Sequence, residues 1–278
     1  MRYRCAAMAI RRERIDGTEV AFQDEGSGPA VLLLHPFPLD HRVWADNVSA
    51  LVADGRRVVA LDYPGFGQSP APAAPQSIAD LAKLAVGLMD RLGLETATVA
   101  GESMGGYIAL AMAAQAKHRV KALILADTRA LADPPATRLG RAKALEAIQT
   151  KGVPAYLDQA VPKLVAPDAD DALLARVRAL AETKAQSLTA AIEALRDRPD
   201  RSGELGAITC PTLVVVGAED QAMPVPEMRQ MADAIPGARF VEIPAVGHLS
   251  NFEAPAAFND AVLDFLRDAS PTVADSRR

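Results

Sequence analysis

The chain has 278 residues, half of them hydrophobic and 23% charged, with 35 Asp+Glu against 30 Lys+Arg for a formal net charge of -5. That composition excludes a disordered chain, and the mildly acidic balance argues against a nucleic-acid binder, which needs a basic face. No apolar run approaches the roughly 18 residues of a membrane span, so no membrane partner is expected. The basic start, MRYRCAAMAIRRER, lacks an apolar stretch of signal-peptide length, and Met8 is a second candidate start. Cys5 and Cys210 form no CxxC pair and no disulfide framework, which fits a reducing, cytoplasmic setting.

Along the chain, short β-rich runs alternate with helical patterns. Arg14–Ile15 and Thr18–Gln23 flank Asp16-Gly17, a hairpin turn signal. Ala30–Leu34 is a continuous apolar run, as expected of a strand buried on both faces. A helix over Trp44–Val52 and a strand over Arg57–Leu61 follow. Ile78, Leu81, Ala85, Leu88 and Leu92 recur at helical spacing, and Gly93 fits a helix stop. Then come a strand at Thr96–Ala100, a helix at Tyr107–Ala116 and a strand at Ala122–Ala126. The rhythm resumes with strands at Thr212–Gly217 and Phe240–Ile243 and helices at Pro226–Ile235 and Ala256–Leu266. Such alternation predicts an α/β fold with a mostly parallel sheet flanked by crossover helices.

Between Thr128 and Leu205 the pattern holds no strand. Helical stretches are expected around Leu139–Ile148, Val153–Leu164, Leu173–Leu180 and Leu188–Leu195, punctuated by Pro134-Pro135, Gly152-Val153-Pro154, Pro167 and Pro199. The expected division is a core of residues 14–127 and 206–268, an inserted helical cap of residues 128–205, and flexible termini of residues 1–13 and 269–278. Ligands of parallel α/β sheets bind outside the carboxyl ends of the strands, so the cap would roof the site. A helical subdomain that only adds bulk is the alternative.

Gly101-Glu102-Ser103-Met104-Gly105 fits G-x-S-x-G and sits between a strand and a helix. A serine in so tight a turn needs small neighbours, which Gly101 and Gly105 supply. The turn lifts the hydroxyl above the sheet and sets the Met104 N–H at a helix N-terminus, where a developing oxyanion is stabilised. Glu102 is read as pointing sideways into a polar contact rather than as catalytic.

A serine hydroxyl needs a base to take its proton. The chain offers four histidines. His118 reads as surface, His41 as a loop residue, and His35 as a residue that holds the loop after the first buried strand. His248, in a short loop between the last strand and the final helix, shares the sheet edge with Ser103. The carboxylate that orients it is expected after a strand. Asp220, following TLVVVG, ranks first; adjacent Glu219 and Asp127, after Ala122–Ala126, are rivals.

The order Ser…Asp…His on this layout resembles the α/β-hydrolase superfamily. His35-Pro36-Phe37-Pro38 matches the loop where the family commonly has His-Gly-x, and Asp62-Tyr63-Pro64-Gly65-Phe66-Gly67-Gln68-Ser69 matches the turn after the next strand. The resemblance spans roughly Ile15 to Leu266 and is nearest to small capped bacterial esterases, enol-lactonases and methyl-ester carboxylesterases. It implies a second oxyanion N–H on Phe37. Pro36 stands where the family has glycine, but Phe37 keeps its own N–H, and Pro36 and Pro38 restrict the backbone on either side of it.

The resemblance implies acyl transfer from a small carboxylic ester or lactone to water, with no metal and no organic cofactor. A serine nucleophile sets the chain apart from the aspartate-dependent dehalogenases and epoxide hydrolases of the superfamily. Perhydrolases and carbon–carbon bond hydrolases share the triad and stay open, as does a sensor that binds a small ligand without turnover, although a pure sensor has no need of a triad. Arg129 is a candidate for an acidic substrate group, with a surface ion pair as its other reading. Val153, Leu157, Val161 and Leu164 are candidates for an apolar acyl pocket, or else the cap's own core. The residues specify no oligomeric state.

Overall fold

The computed structural model describes residues 10–269. Cys5, Met8 and most of the two expected flexible termini lie outside them. Eight strands form one sheet: β1 (Arg11–Ile15), β2 (Thr18–Gly26), β3 (Ala30–Leu34), β4 (Arg57–Leu61), β5 (Ala97–Glu102), β6 (Val120–Ala126), β7 (Thr212–Gly217) and β8 (Arg239–Ile243). Their spatial order is β1-β2-β4-β3-β5-β6-β7-β8. β2 runs antiparallel to both β1 and β4, and every other pair is parallel. The hairpin turns on Asp16 and Gly17, both at positive φ (47° and 85°), the backbone an Asp-Gly turn favours. β1 begins at Arg11, so the ordered core starts three residues before the expected Arg14.

The apolar run of β3 feeds two layers. Leu32 and Leu34 join one core with α2 (Ile78–Arg91), α3 (Met104–Gln115) and α7 (Val225–Asp233). Val31 and Leu33 face the other, with α1 (Ala45–Ala53) and α9 (Pro255–Ala269). Helices on both faces explain why the central strands read as continuous apolar runs rather than alternating ones. The entry of α2 is fixed by a reciprocal cap: Ser77 Oγ accepts the Asp80 N–H (3.2 Å), and the Asp80 carboxylate accepts the Ser77 N–H (3.1 Å). Gly93 follows its end at φ 67°.

Between β6 and β7 the described residues contain no strand. They form α4 (Pro135–Ala160), a 3₁₀ turn at Val161–Leu164, α5 (Asp171–Leu180) and α6 (Ala185–Asp197). α4 joins two of the expected helices across a kink at Gly152 (φ 82°, ψ 170°), two residues before Pro154. α6 buries Leu188, Ile192 and Leu195, the face its spacing predicts. The four-residue helix α8 (Ser250–Glu253) precedes α9. No described helix is long and apolar enough to cross a membrane, and Cys210 is a free, half-buried thiol.

Candidate active site

Ser103 sits between β5 and α3 at φ 52°, ψ −113°, a backbone conformation that costs a non-glycine residue about 1–3 kcal/mol. The surroundings leave no other path. A Cβ on Gly101 would lie 2.2 Å from the Gly105 carbonyl oxygen, and one on Gly105 would lie 2.0 Å from that of Leu34. Both glycines are therefore required by close backbone approach. The Ser103 N–H donates to the Ala126 carbonyl (2.9 Å), and the Ser103 carbonyl accepts from the Thr128 hydroxyl (2.8 Å). The elbow is thus tied to the end of β6 on both sides.

The structure brings the three expected triad residues together. His248 Nε2 is 2.8 Å from Ser103 Oγ, and His248 Nδ1 is 2.8 Å from Asp220 Oδ2. All three are buried. Asp220 Oδ1 accepts the N–H groups of Ala222 (2.7 Å) and Met223 (2.9 Å), so the carboxylate is held by its own loop while Oδ2 serves the histidine. Burial works against the imidazolium, but the Asp220 charge and hydrogen bond outweigh it and leave the His248 pKa above the ordinary histidine value. The Nδ1–H toward a carboxylate fixes the tautomer that leaves Nε2 free to take the serine proton.

The base loop has an outer brace as well. Glu253 accepts the N–H groups on both sides of His248, from Gly247 (3.1 Å) and Leu249 (3.1 Å), and that of Ala166 in the cap (2.8 Å). Nothing in the spacing of the sequence marked Glu253, because its role depends on a loop folding back over α8.

Phe37 and Met104 are the candidate oxyanion donors; Met104 directly follows the nucleophile, and Phe37 shares its apolar cluster. Met104 opens α3, so its N–H has no acceptor within the helix. The Phe37 loop spends its own bonds elsewhere: Leu39 N–H and His35 Nδ1 both reach the Pro36 carbonyl at 3.0 Å. His35 Nε2 accepts the Tyr63 N–H (3.2 Å). Burial lowers the His35 pKa against the pull of Asp62, and the neutral ring pins the loop, as its position suggested. His41 is likewise structural, with its ring Nδ1 and backbone N–H both on Asp62 (2.8 Å).

Of the two readings open for Arg129 and for the apolar cap residues, the described contacts fit the second. Arg129 does not line the cavity: its guanidinium donates to Glu227 (3.2 Å), the Ala222 carbonyl (3.0 Å) and Met223 Sδ (3.1 Å), so it braces the Asp220 loop. Leu157 and Val161 are buried in one apolar cluster with Val165, Val246 and Leu249, and Leu164 packs against it, which fits the cap-core reading; Val153 packs against both this cluster and the one that holds Tyr63, Phe66 and Met104. Glu102 faces the Asn251 backbone N–H. It is fully buried without a well-formed hydrogen bond to either carboxyl oxygen, and burial together with the neighbouring Asp127 pushes its pKa well up. Of the rival acids, Asp127 has no hydrogen bond to His248 among the described residues, and the loop geometry gives the histidine to Asp220 rather than Glu219.

The cavity lies instead between α6, the end of the first segment of α4 and the loop after β4. It encloses about 470 Å³, and Tyr63, Phe66, Met104, Ile148, Ala190 and Ala194 form its walls. That size falls in the roughly 300–1,000 Å³ range of small-molecule sites. Met104 joins it to the nucleophile elbow, and the Phe66 ring meets Phe37 edge-on at 6.1 Å. Glu193 is the one charged residue on its described lining, and no lysine or arginine faces it. The sequence could not nominate these walls, because they come from four separate stretches of chain, around residues 63–81, 104, 148–149 and 185–194.

Comparison with known proteins places this geometry. Residues 29–255 match the α/β-hydrolase fold family. Among curated relatives, a putative carbamate hydrolase of Variovorax paradoxus is 32% identical over 87% of this chain and 93% of its own length. A 2-hydroxy-6-oxononadienedioate/2-hydroxy-6-oxononatrienedioate hydrolase of Paraburkholderia phymatum is 32% identical over 90% and 92%. A dihydrolipoyllysine-residue acetyltransferase component of an acetoin cleaving system from Pseudomonas putida is 33% identical over 87% of this chain, which spans 64% of that longer protein. Among solved structures, a thermophilic esterase of Thermogutta terrifontis superposes with a TM-score of 0.88 at 34% identity, covering 93% of this chain and 99% of that one. The enol-lactonase of Burkholderia xenovorans gives 0.85 at 31%, covering 92% and 99%. The chain is a hydrolase that belongs to the α/β-hydrolase fold family.

Proposed function

We propose that this protein hydrolyses neutral carboxylic esters of short- to medium-chain acids through a serine acyl-enzyme. The unbroken relay from Asp220 through His248 to Ser103 carries the reading. Ser103 Oγ attacks the ester carbonyl as His248 Nε2 takes its proton, and the Phe37 and Met104 N–H groups receive the oxyanion. The alkoxide leaves with the proton from His248. Water then attacks the acyl-enzyme by the same route, and the acid departs. Residues 128–205 act as the cap that roofs this chemistry, and the 470 Å³ cavity takes the acyl chain. An apolar cavity without a cation suits an uncharged acyl group and supplies no counter-charge for a dicarboxylate. A lactone is a cyclic ester and needs no different machinery, so lactonase activity is the second reading, supported by the likeness to the enol-lactonase.

The test is hydrolysis of p-nitrophenyl esters from acetate to laurate by the wild type and by Ser103→Ala. Turnover that falls about 10⁴-fold or more in the variant, with an optimum at intermediate chain length, is the expected result. Equal turnover by Ser103→Ala would refute the serine mechanism. Turnover of lactones but of no open-chain ester would favour the second reading.

A further inference from the structure

A carboxyl that the mechanism does not use lies beneath the triad. Asp127 follows β6, fully buried, at φ 45°. That left-handed backbone is uncommon for a residue with a side chain, and it is kept where surrounding contacts over-determine it. Its carboxyl reaches both loops that carry the acid and the base of the triad. Oδ1 accepts the N–H of Gly217 (2.8 Å), whose carbonyl in turn accepts the Asp220 N–H (3.1 Å). Oδ2 accepts the N–H (3.3 Å) and the hydroxyl of Ser250, two residues after His248. The Asp127 N–H itself donates to Val215 in β7 (3.0 Å). Thr128, the next residue, holds the Ser103 carbonyl.

We propose that Asp127 is a positioning residue, which locks the acid loop and the base loop of the triad in register through Gly217 and Ser250. The need for such a bracket follows from the local structure. Pro244 to Leu249 form neither helix nor strand, so the backbone of His248 has no ladder to hold it. Glu253 braces that loop from outside and Asp127 braces it from inside. Proton transfer between Ser103, His248 and the leaving group depends on placement at the ångström scale, and misplacement of that order costs about 100-fold.

The charge pattern agrees with a positioning role and not with a second triad acid. Asp127 faces Glu102 from β5, Asp220 from the loop after β7 and His248 from its own loop. Burial and the Asp220 charge raise its pKa to about 8. It therefore takes up its negative charge less readily than an ordinary carboxylate, and the geometry of its bonds to Gly217 and Ser250 carries the positioning role.

The inference rests on the serine-hydrolase reading, so Ser103→Ala is measured alongside. The test compares Asp127→Ala, Asp127→Asn, Ser250→Ala and the Asp127→Ala/Ser250→Ala pair. Each is assayed for folding by circular dichroism and Tm, for kcat and KM on p-nitrophenyl butyrate, and for the rate at which a fluorophosphonate labels Ser103. Expected is a kcat loss of roughly 100-fold for Asp127→Ala with KM within about twofold, and parallel slowing of labelling. Asp127→Asn keeps one acceptor and recovers part of the loss. Ser250→Ala loses about tenfold, and the pair is no worse than Asp127→Ala alone, because both substitutions remove one bracket. The proposal is overturned if Asp127→Ala keeps kcat while losing only Tm, if the loss falls on KM, or if the paired losses multiply. Should Asp127→Ala fail to fold, Ser250→Ala and Asp127→Asn decide by the same criteria. Persistence of turnover and labelling in Ser103→Ala sinks the underlying reading instead, and is distinguishable from all of these.

Discussion

The carboxyl rim of the sheet and the helical cap are held by different forces. At the rim, Ser103 and Asp220 are fixed by directional bonds to backbone and His248 by side-chain bonds to both of them, and Gly101 and Gly105 beside the nucleophile admit no added atom. The cap leans more on apolar contact along α4 and α6, with the buried Arg198–Asp133 ion pair (2.6 Å) as its main directional tie; it kinks at Gly152 and leaves Leu139 on α4 58% exposed. Hydrogen-bonded placement has one solution, whereas apolar packing has many near-equivalent ones. Rim substitutions should therefore abolish the chemistry, and cap substitutions should redirect it.

The largest effect should come from the acid. Asp220→Asn keeps the shape of the side chain but withdraws the charge that fixes the His248 tautomer, and kcat should fall by roughly 10⁴ with little change in KM. Steady-state kinetics on a single activated ester measures both. A loss below tenfold would mean that another carboxyl, with Asp127 nearest to hand, substitutes for it, and that the rim is less singular than its bonds imply.

The next effect is graded by pH. His248 must be neutral at Nε2 to accept the serine proton. Burial alone would lower its pKa, but Asp220 reverses the sign, so the histidine stays protonated to a pH above the ordinary value of 6.5. kcat/KM should then fall about tenfold per pH unit below a midpoint above 6.5, and the residual activity of Asp220→Asn should show that midpoint moved to lower pH. A wild-type profile flat from mildly acidic to neutral pH would remove His248 from the role of base.

The same contrast decides what could be read from sequence. The elbow was legible because its demands are local: two glycines beside a serine, between a strand and a helix. Asp220 and His248 were legible because parallel strands deliver their following loops to one edge. The strand set was legible too, with boundaries shifted by a few residues, as where β6 starts at Val120 rather than Ala122. An ion pair for Arg129 was among the readings, but its partner was not legible, since nothing in the chain order points to Glu227, 98 residues on. Leu157 and Val161 show helical periodicity, which says that a face is apolar but not which neighbour it meets. Their face turned to the base loop, and the cavity fell to alanines of α6 and to the loop after β4. Glu102 lies fully buried beside the elbow, and nothing in its residue type points to that burial.

The smallest predicted effect tests the cap side of the comparison. Ala190→Phe places a ring on α6 in the wall of the 470 Å³ cavity, far from any bond that fixes the triad. Acetate, which needs little of that space, should keep its kcat/KM within about twofold. Laurate should lose roughly tenfold, since a hydrophobic pocket discriminates by only about 1–3 kcal/mol per misfit. The chain-length optimum would shift downward while the pH midpoint stays fixed, because no titrating partner of His248 has moved. Equal losses at every chain length would show that the cap wall reaches into the placement of the rim. An unchanged profile would show that the acyl chain lies elsewhere, and the α6 cavity would then have to serve the leaving alcohol. Only the unequal result keeps chemistry on the sheet edge and selectivity in the helices above it.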